Sequence, residues 1–310
     1  MIRALPYLVL EKFGQVKPIP ERNSKVTKFR RYEALSPTPN TLSEGVTPSA
    51  KQLTVTDVTA TLVQYGDLVT ITDVVMDTHE DPVLQEATAI LGEQAAQMIE
   101  TVRFNVVKAG TSVQYANGTG RTDVNTPITT AAQRLVTRAL KRQNARQITT
   151  VTKSTPSYGT EAVAASFVAV CHPDVESDIR NMTGFVPTEK YGSMTPYESE
   201  IGKVEDVRYL SSTIFSSWAD GGGAKAGSGT TMLSTTGTSA DVYPVIYFAR
   251  DAFGIVPLKG MTAITPTVVN PKPSDSDPLA QRGHVGWKSM QTAVILNDAF
   301  MVRMEVAVTA

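Results

Sequence analysis

The chain has 310 residues, 41% of them apolar, and a formal net charge of −1. These values exclude a disordered chain, leave room for two or three structural regions around a sizeable core, and give no global signal for nucleic acid or membrane. The single cysteine, Cys171, excludes an internal disulfide and any multi-cysteine zinc site, and no apolar run reaches the roughly 18 residues that span a bilayer.

Charge is nonetheless unevenly placed. Met1 to Arg31 holds eight bases against two acids, Asp67 to Glu100 holds eight acids and no Lys or Arg, and Gln133 to Lys153 holds six bases and no acid. Such blocks can complement one another between copies, or they can be ordinary solvated faces. The start, MIRALPYLVLEKFG, follows its short apolar run with Glu11 and Lys12 and has no small-residue cleavage site, so it is not read as a signal peptide.

Residues 1–24 carry Pro6, Pro18 and Pro20 among charges, which opposes a stable helix and predicts an arm. Such an arm is either ordered on something else or partly disordered. Residues 25–75 predict two long strands, SKVTKFRRYEAL and QLTVTDVTATLVQYGDLVTITDVV, around the Pro-, Ser- and Gly-rich tip SPTPNTLSEGVTPSAK. Many positions are polar on both faces, so this β-ribbon projects into solvent or packs on a neighbour.

From Asp77 to Gly110 the pattern predicts one long helix. Asp77, Glu80 and Asp81 suit the positive end of its dipole, Pro82 suits its first position and Gly110 its stop. Leu84, Ala87, Leu91, Ala95, Met98, Val102 and Val106 form one apolar stripe, and the helix is roughly 40 Å long.

Asn117-Gly118 signals a tight turn in a hairpin. A second helix follows, about Thr130 to Ala145, with Arg134, Arg138, Lys141 and Arg142 on one side and Leu135 and Ala139 on the other. Residues 165–173 predict a buried strand, 174–182 a short helix, 202–213 a strand, 216–240 a long flexible loop, 241–258 the strongest β run, 270–278 a linker, and the last segment strands up to Ala310.

Chemistry-bearing clusters are few. His172, Asp174, Glu176 and Asp178 could hold a metal, or they could simply open a helix after a strand. Gly118-Thr119-Gly120-Arg121 and Gly221–Gly223 lack a phosphate-loop pattern and read as turn and loop. Cys171 and His172, adjacent on a strand, face opposite ways. His79 and His284 are isolated in sequence. No GxSxG, HExxH or kinase motif is present, which argues only weakly against an enzyme, since catalytic triads are assembled in space. The basic stripe of the second helix could touch DNA backbone non-specifically, or be a solvated or salt-bridging face.

The order of basic arm, polar ribbon, long helix and mixed α/β half resembles the major capsid proteins of tailed bacteriophages, the Hong Kong phage type of fold, and within them the phage N-four-like branch. The residues carrying the resemblance are Phe29-Arg30-Arg31, Leu42-Ser43-Glu44-Gly45-Val46-Thr47-Pro48, Tyr65-Gly66-Asp67, His79-Glu80-Asp81, Tyr115-Ala116-Asn117-Gly118 with Arg121, His172-Pro173-Asp174 with Asp178-Ile179-Arg180, and Glu200-Ile201-Gly202 with Arg208.

The resemblance implies an α+β shell protein. Residues 1–24 would be an N-terminal arm along a neighbour and 25–75 an extended loop reaching over the adjacent subunit. Residues 76–126 and 256–310 would form a peripheral domain with spine helix 82–109, and 127–255 an axial domain. It implies self-assembly in hexamers and pentamers into an icosahedral head, made in the host bacterial cytoplasm around double-stranded DNA. The implied partners are a separate scaffolding protein, since the chain starts at Met1 without a preceding scaffold segment, a portal and a decoration protein. It implies no cofactor, metal or membrane. Lys51 has no matching crosslink partner, so no crosslink is predicted.

Opposed charge blocks suggest that Lys28, Arg30, Arg31 and Glu44 on the ribbon, and Asp77, Glu80 and Asp81 at the helix head, meet between subunits. Arg134, Arg138, Lys141 and Arg142 are the DNA-facing candidates. An encapsulin-like compartment shell, and a metal-dependent enzyme using His172–Asp178, are the alternatives.

Overall fold

The computed structural model of the chain describes residues 8–78, 83–152, 160–192, 195–226, 231–259, 264–273 and 278–310. In chain order, the first half holds β1 (Gln15–Val16), β2 (Val26–Tyr32), β3 (Val55–Thr61), β4 (Val63–Thr72), α1 (Asp73–Thr78), α2 (Val83–Lys108), β5 (Val113–Tyr115) and α3 (Thr130–Arg142). The second half holds β6 (Ile148–Thr152), β7 (Thr160–Cys171), α4 (Glu176–Arg180), β8 (Phe185–Pro187), β9 (Glu200–Val204), β10 (Val207–Ser211), β11 (Tyr243–Phe248), β12 (Phe253–Pro257), β13 (Ile264–Val269), β14 (Arg282–Ile295) and β15 (Met301–Val306).

Two sheets organise these elements. In the five-stranded sheet, β14 is central. β4 runs antiparallel along one edge, and β13 and β12 lie end to end along the other. β1 adds to β12 in parallel. The eight-stranded sheet has the order β5-β15-β11-β7-β10-β9-β8, with β6 also on β7. A separate two-stranded ribbon pairs β2 with β3, from Val26↔Thr61 to Tyr32↔Val55.

The helix α2 joins the two sheets. Its first half sets Leu91 and Ala95 on Ile71, Val285 and Trp287 of the five-stranded sheet. Its second half sets Phe104 and Val107 among Phe215, Phe248, Phe253 and Met301. The buried face is therefore not the single stripe expected. Val102 and Val106 are only half-buried, while Ile99, Glu100, Arg103, Phe104 and Val107 are buried. A seven-residue repeat drifts about 20° per heptad around a straight helix, so the contact face rotates along its length.

Several expectations are corrected. Residues 52–75 are not one strand. Leu62, 1% exposed, turns inward and separates β3, which belongs to the ribbon, from β4, which belongs to the sheet; helix α1 begins at Asp73. Residues 8–19 do not extend away as a free arm, because Val9, Leu10 and Phe13 fill the core beneath α2, and β1 extends the five-stranded sheet. The turn at Asn117-Gly118 closes no hairpin, since β5 pairs in parallel with β15. The strand expected at 202–213 is a hairpin, β9–β10, turning at Glu205 with φ +52°.

The described part of 216–240 is folded down, not free. Asp241 accepts hydrogen bonds from the Asp220 and Thr235 amides, and Asp220 accepts from Ser234 and Thr236. The C-terminal third divides between the sheets. β12 to β14 lie in the five-stranded sheet, but β15 lies between β5 and β11 in the eight-stranded one. Residues 256–310 thus divide between the two sheets, and both parts touch α2.

Candidate assembly surfaces

The ribbon is held only at its base. Along β2, Phe29 alone is buried, in a cluster with Ile19, Ala60, Leu62 and Val256. Gly254 lies flat beneath its ring, where a Cβ would stand 2.8 Å from the ring edge. Opposite, Arg30 Nε meets Asp57 Oδ1 at 3.1 Å, and Lys28 Nζ approaches Asp57 Oδ2 at 3.9 Å. The Glu33 amide donates to Thr54 O at 3.0 Å, closing the foot of the loop 34–53. Beyond that foot, Leu42, Val46 and Leu53 are 72%, 66% and 64% exposed. Apolar side chains left this exposed along one loop make it a candidate contact surface for another molecule.

The intersubunit candidates distribute unevenly. Lys28 and Arg30 already share Asp57 of their own ribbon. Arg31 lines a groove of 720 Å³ together with Lys17, Lys28, Asp251, Asn297 and Phe300. Glu44 is exposed beside Gly45, whose φ of +76° forms the turn at the tip. Asp77 lies in α1, and Glu80 and Asp81, with the Asp77 side chain, lie outside the described residues.

The basic stripe of α3 is half neutralised. Arg134 donates to Glu205 Oε1 at 2.8 and 2.5 Å, and Lys141 Nζ donates to Asp206 Oδ2 at 2.6 Å, both acids coming from the β9–β10 turn. Arg138 and Arg142 are exposed and have no carboxylate partner among the described residues. The buried side of α3 is Gln133, Val136, Thr137 and Leu140, while Leu135, expected on the side away from the bases, is 48% exposed. Gln133 explains the rotation: it donates to Val204 O at 2.9 Å and accepts from the Tyr209 hydroxyl at 2.7 Å, satisfying its amide inside the core.

The four side chains of the His172–Asp178 cluster diverge. His172 Nδ1 lies 3.1 Å from Asp174 Oδ2, which also accepts from the Tyr243 hydroxyl at 2.6 Å. Glu176 pairs with Arg180 at 2.5 Å, and Asp178 accepts from the Thr309 amide at 3.0 Å. They do not converge on one point. Cys171 is buried, donates to Leu210 O at 3.4 Å, and its thiol is pushed far up by burial. Arg121 is not poised for phosphate. It grips Glu305 with two bonds of 2.7 and 2.8 Å and stacks 3.7 Å from the Trp218 ring centre.

Two buried charge clusters were missed from the sequence. Glu305, fully buried, sits between Arg121 and Arg303, and Arg303 also donates to the carbonyls of Lys108 and Gly110 at the end of α2. Glu100, also fully buried, accepts from the amides of Val9 at 3.1 Å and Leu10 at 2.7 Å. Burial, partly offset by Arg103, pushes its carboxyl up to about 7. For the second, the available signal was Glu100 and Arg103, charges three apart in a stretch, 95–107, that otherwise holds none.

The distinguishing combination is a long helix shared by two sheets and a ribbon whose apolar loop is uncovered among the described residues. A sequence profile described as phage capsid protein matches residues 55–303, most of the chain. The chain belongs to the phage capsid protein family. No curated protein sequence matches this capsid protein. Among solved structures it is similar to the capsid of Ralstonia phage GP4, with a TM-score of 0.72 and 11% identity over 95% of this chain and 87% of that one. The cyanophage Pam1 capsid follows the same fold, with a TM-score of 0.63 and 13% identity over 99% and 92%. The SrpI encapsulin of Synechococcus elongatus is a weaker likeness, with a TM-score of 0.56 and 9% identity over 100% and 89%. The fold is thus the tailed-phage capsid fold expected from the order of elements, and the protein is a structural component of a phage head shell.

Proposed function

We propose that this capsid protein assembles, as hexamers and pentamers, into an icosahedral tailed-phage head in the host cytoplasm, enclosing double-stranded DNA, and that it catalyses no reaction. The observation carrying this reading is the loop 34–53, whose Leu42, Val46 and Leu53 find no cover within their own chain among the described residues. A ribbon anchored at its base and apolar at its tip gains its missing burial from a neighbour, which couples subunit folding to assembly. In this reading α2 with the five-stranded sheet is the peripheral domain and the eight-stranded sheet with α3 is the axial domain.

Arg31 and Glu44, together with Asp77, Glu80 and Asp81, are the intersubunit charges. Lys28 and Arg30 act first as ribbon braces. Arg138 and Arg142 are the DNA-facing pair, meeting phosphates without reading bases. A separate scaffolding protein, a portal and a decoration protein complete the assembly. Negative-stain microscopy of the expressed chain tests the proposal: closed shells, tubes or capsomers support it. A strictly monomeric protein at high concentration, even with scaffold co-expressed, overturns it.

A further inference from the structure

The strap formed by residues 8–13 lies on α2 through two kinds of contact. Val9, Leu10 and Phe13 enter an apolar bed with Phe104, Val107, Phe248 and Phe253. At the centre of that bed Glu100 Oε1 takes both strap amides, while Oε2 is buried and has no hydrogen-bond partner. Among the described residues Arg103 is the cation paired with it, with Nη1 3.9 Å from Oε2, and that nitrogen also lies 3.2 Å from Glu11 of the strap itself. Lys12, the strap's own base, is turned away to Glu198 at 2.7 Å. The strands packed on this core present apolar side chains, Val168 and Val170 from β7, Ile246 and Phe248 from β11. The ionised carboxylate is therefore only partly compensated, and its unpartnered oxygen is where a proton is held.

We infer that residues 8–13 form a proton-gated strap, which docks on the spine helix with uptake of a proton at Glu100 and loosens as the pH rises. With the strap docked, the carboxyl titrates at about 7; with it lifted, Glu100 meets water and returns to the ordinary value of 4.5. Between those values the docked form binds more protons, so docking weakens as pH rises through that window and levels off above it. From pH 5 to pH 8 the docking equilibrium falls by roughly a hundredfold. Glu11 is part of the device, because it draws Arg103 toward the strap and away from Glu100. The strap is a property of the single subunit and stands whether or not shells form.

Hydrogen–deuterium exchange of the unassembled full-length subunit tests this, read on peptides covering residues 8–13 and corrected for the intrinsic pH dependence of exchange. Wild-type protection should fall more than tenfold between pH 5.5 and pH 8. Glu100→Gln should give protection that does not change with pH. Leu10→Ala, which weakens only the apolar bed, should lower protection equally at both values and keep the wild-type slope. Flat wild-type protection, or an unchanged slope in Glu100→Gln, overturns the proposal. If Glu100→Gln fails to fold, the wild-type and Leu10→Ala profiles decide it.

Discussion

Glu305 illustrates how much a single buried charge can hold. Its carboxylate ties Arg121 from the turn after β5 to Arg303 of β15, and Arg303 in turn satisfies carbonyls that the end of α2 leaves open. Replacing Glu305 with Gln leaves two guanidiniums facing each other beside Lys108, whose ammonium burial and those two arginines already hold below its usual value. Breaking a buried pair in this way costs about 3–5 kcal/mol, and urea unfolding of Glu305→Gln should show it. A loss below about 1 kcal/mol would mean that the cluster is hydrated rather than buried. Gly254 makes a second residue-scale case. With no room for a Cβ under Phe29, Gly254→Val should unseat the base of the ribbon and raise protease cutting in residues 26–32 while the two sheets persist.

At the scale of elements, the ribbon separates two roles that its sequence merges. Arg30→Glu would set a second carboxylate against Asp57 across the β2–β3 pair, so it should fray the ribbon of the isolated subunit, visible as faster amide exchange in β2 and β3. Arg31→Glu lies opposite Thr56 and leaves that pairing intact, so it should spare the isolated subunit and impair shell formation alone. Normal shells from Arg31→Glu would remove Arg31 from the interface. Replacing residues 36–51 with Asn-Gly, a pair suited to a tight hairpin turn, should give a soluble, folded subunit that forms no shells.

Element by element, the length of α2 and its stop near Gly110 were legible, since propensity and capping are local signals. The strand break at Leu62 was not. Nothing local distinguishes a β-rich run that stays in one sheet from one that crosses between two, because the difference lies in the partner strands, hundreds of positions away at β14. The Val102 and Val106 expectation failed for a similar reason: which side of a long helix is covered depends on where the second core sits.

For the whole molecule, the order of arm, ribbon, long helix and mixed α/β half was enough to anticipate the capsid fold, although sequence identity to the solved capsids compared is 11% and 13%. Topology survives where side chains do not, and it is carried by element lengths and turn positions. The candidate surfaces were less legible. Charge blocks were visible, but whether a base such as Arg134 is spent inside its own subunit depends on Glu205 and Asp206 arriving from a distant hairpin. Neutralising Arg138 and Arg142 to Gln should lower DNA retention by assembled particles in a salt-dependent way, with little change in subunit stability. Retention unchanged at all salt concentrations would place the pair elsewhere on the shell.

The helix shared by the two sheets also sets a constraint on how the chain reaches its native state. One half of α2 rests on Val285 and Trp287 as well as Ile71, and the other on Met301 as well as Val9, Leu10 and Phe13, so the cover over each half is completed only by residues 282–306. During translation the helix therefore emerges from the ribosome after the strap and β4 but well before the rest of its cover, with Leu91, Phe104 and Val107 only partly shielded. For that interval the nascent chain is exposed to chaperones and to aggregation with its siblings.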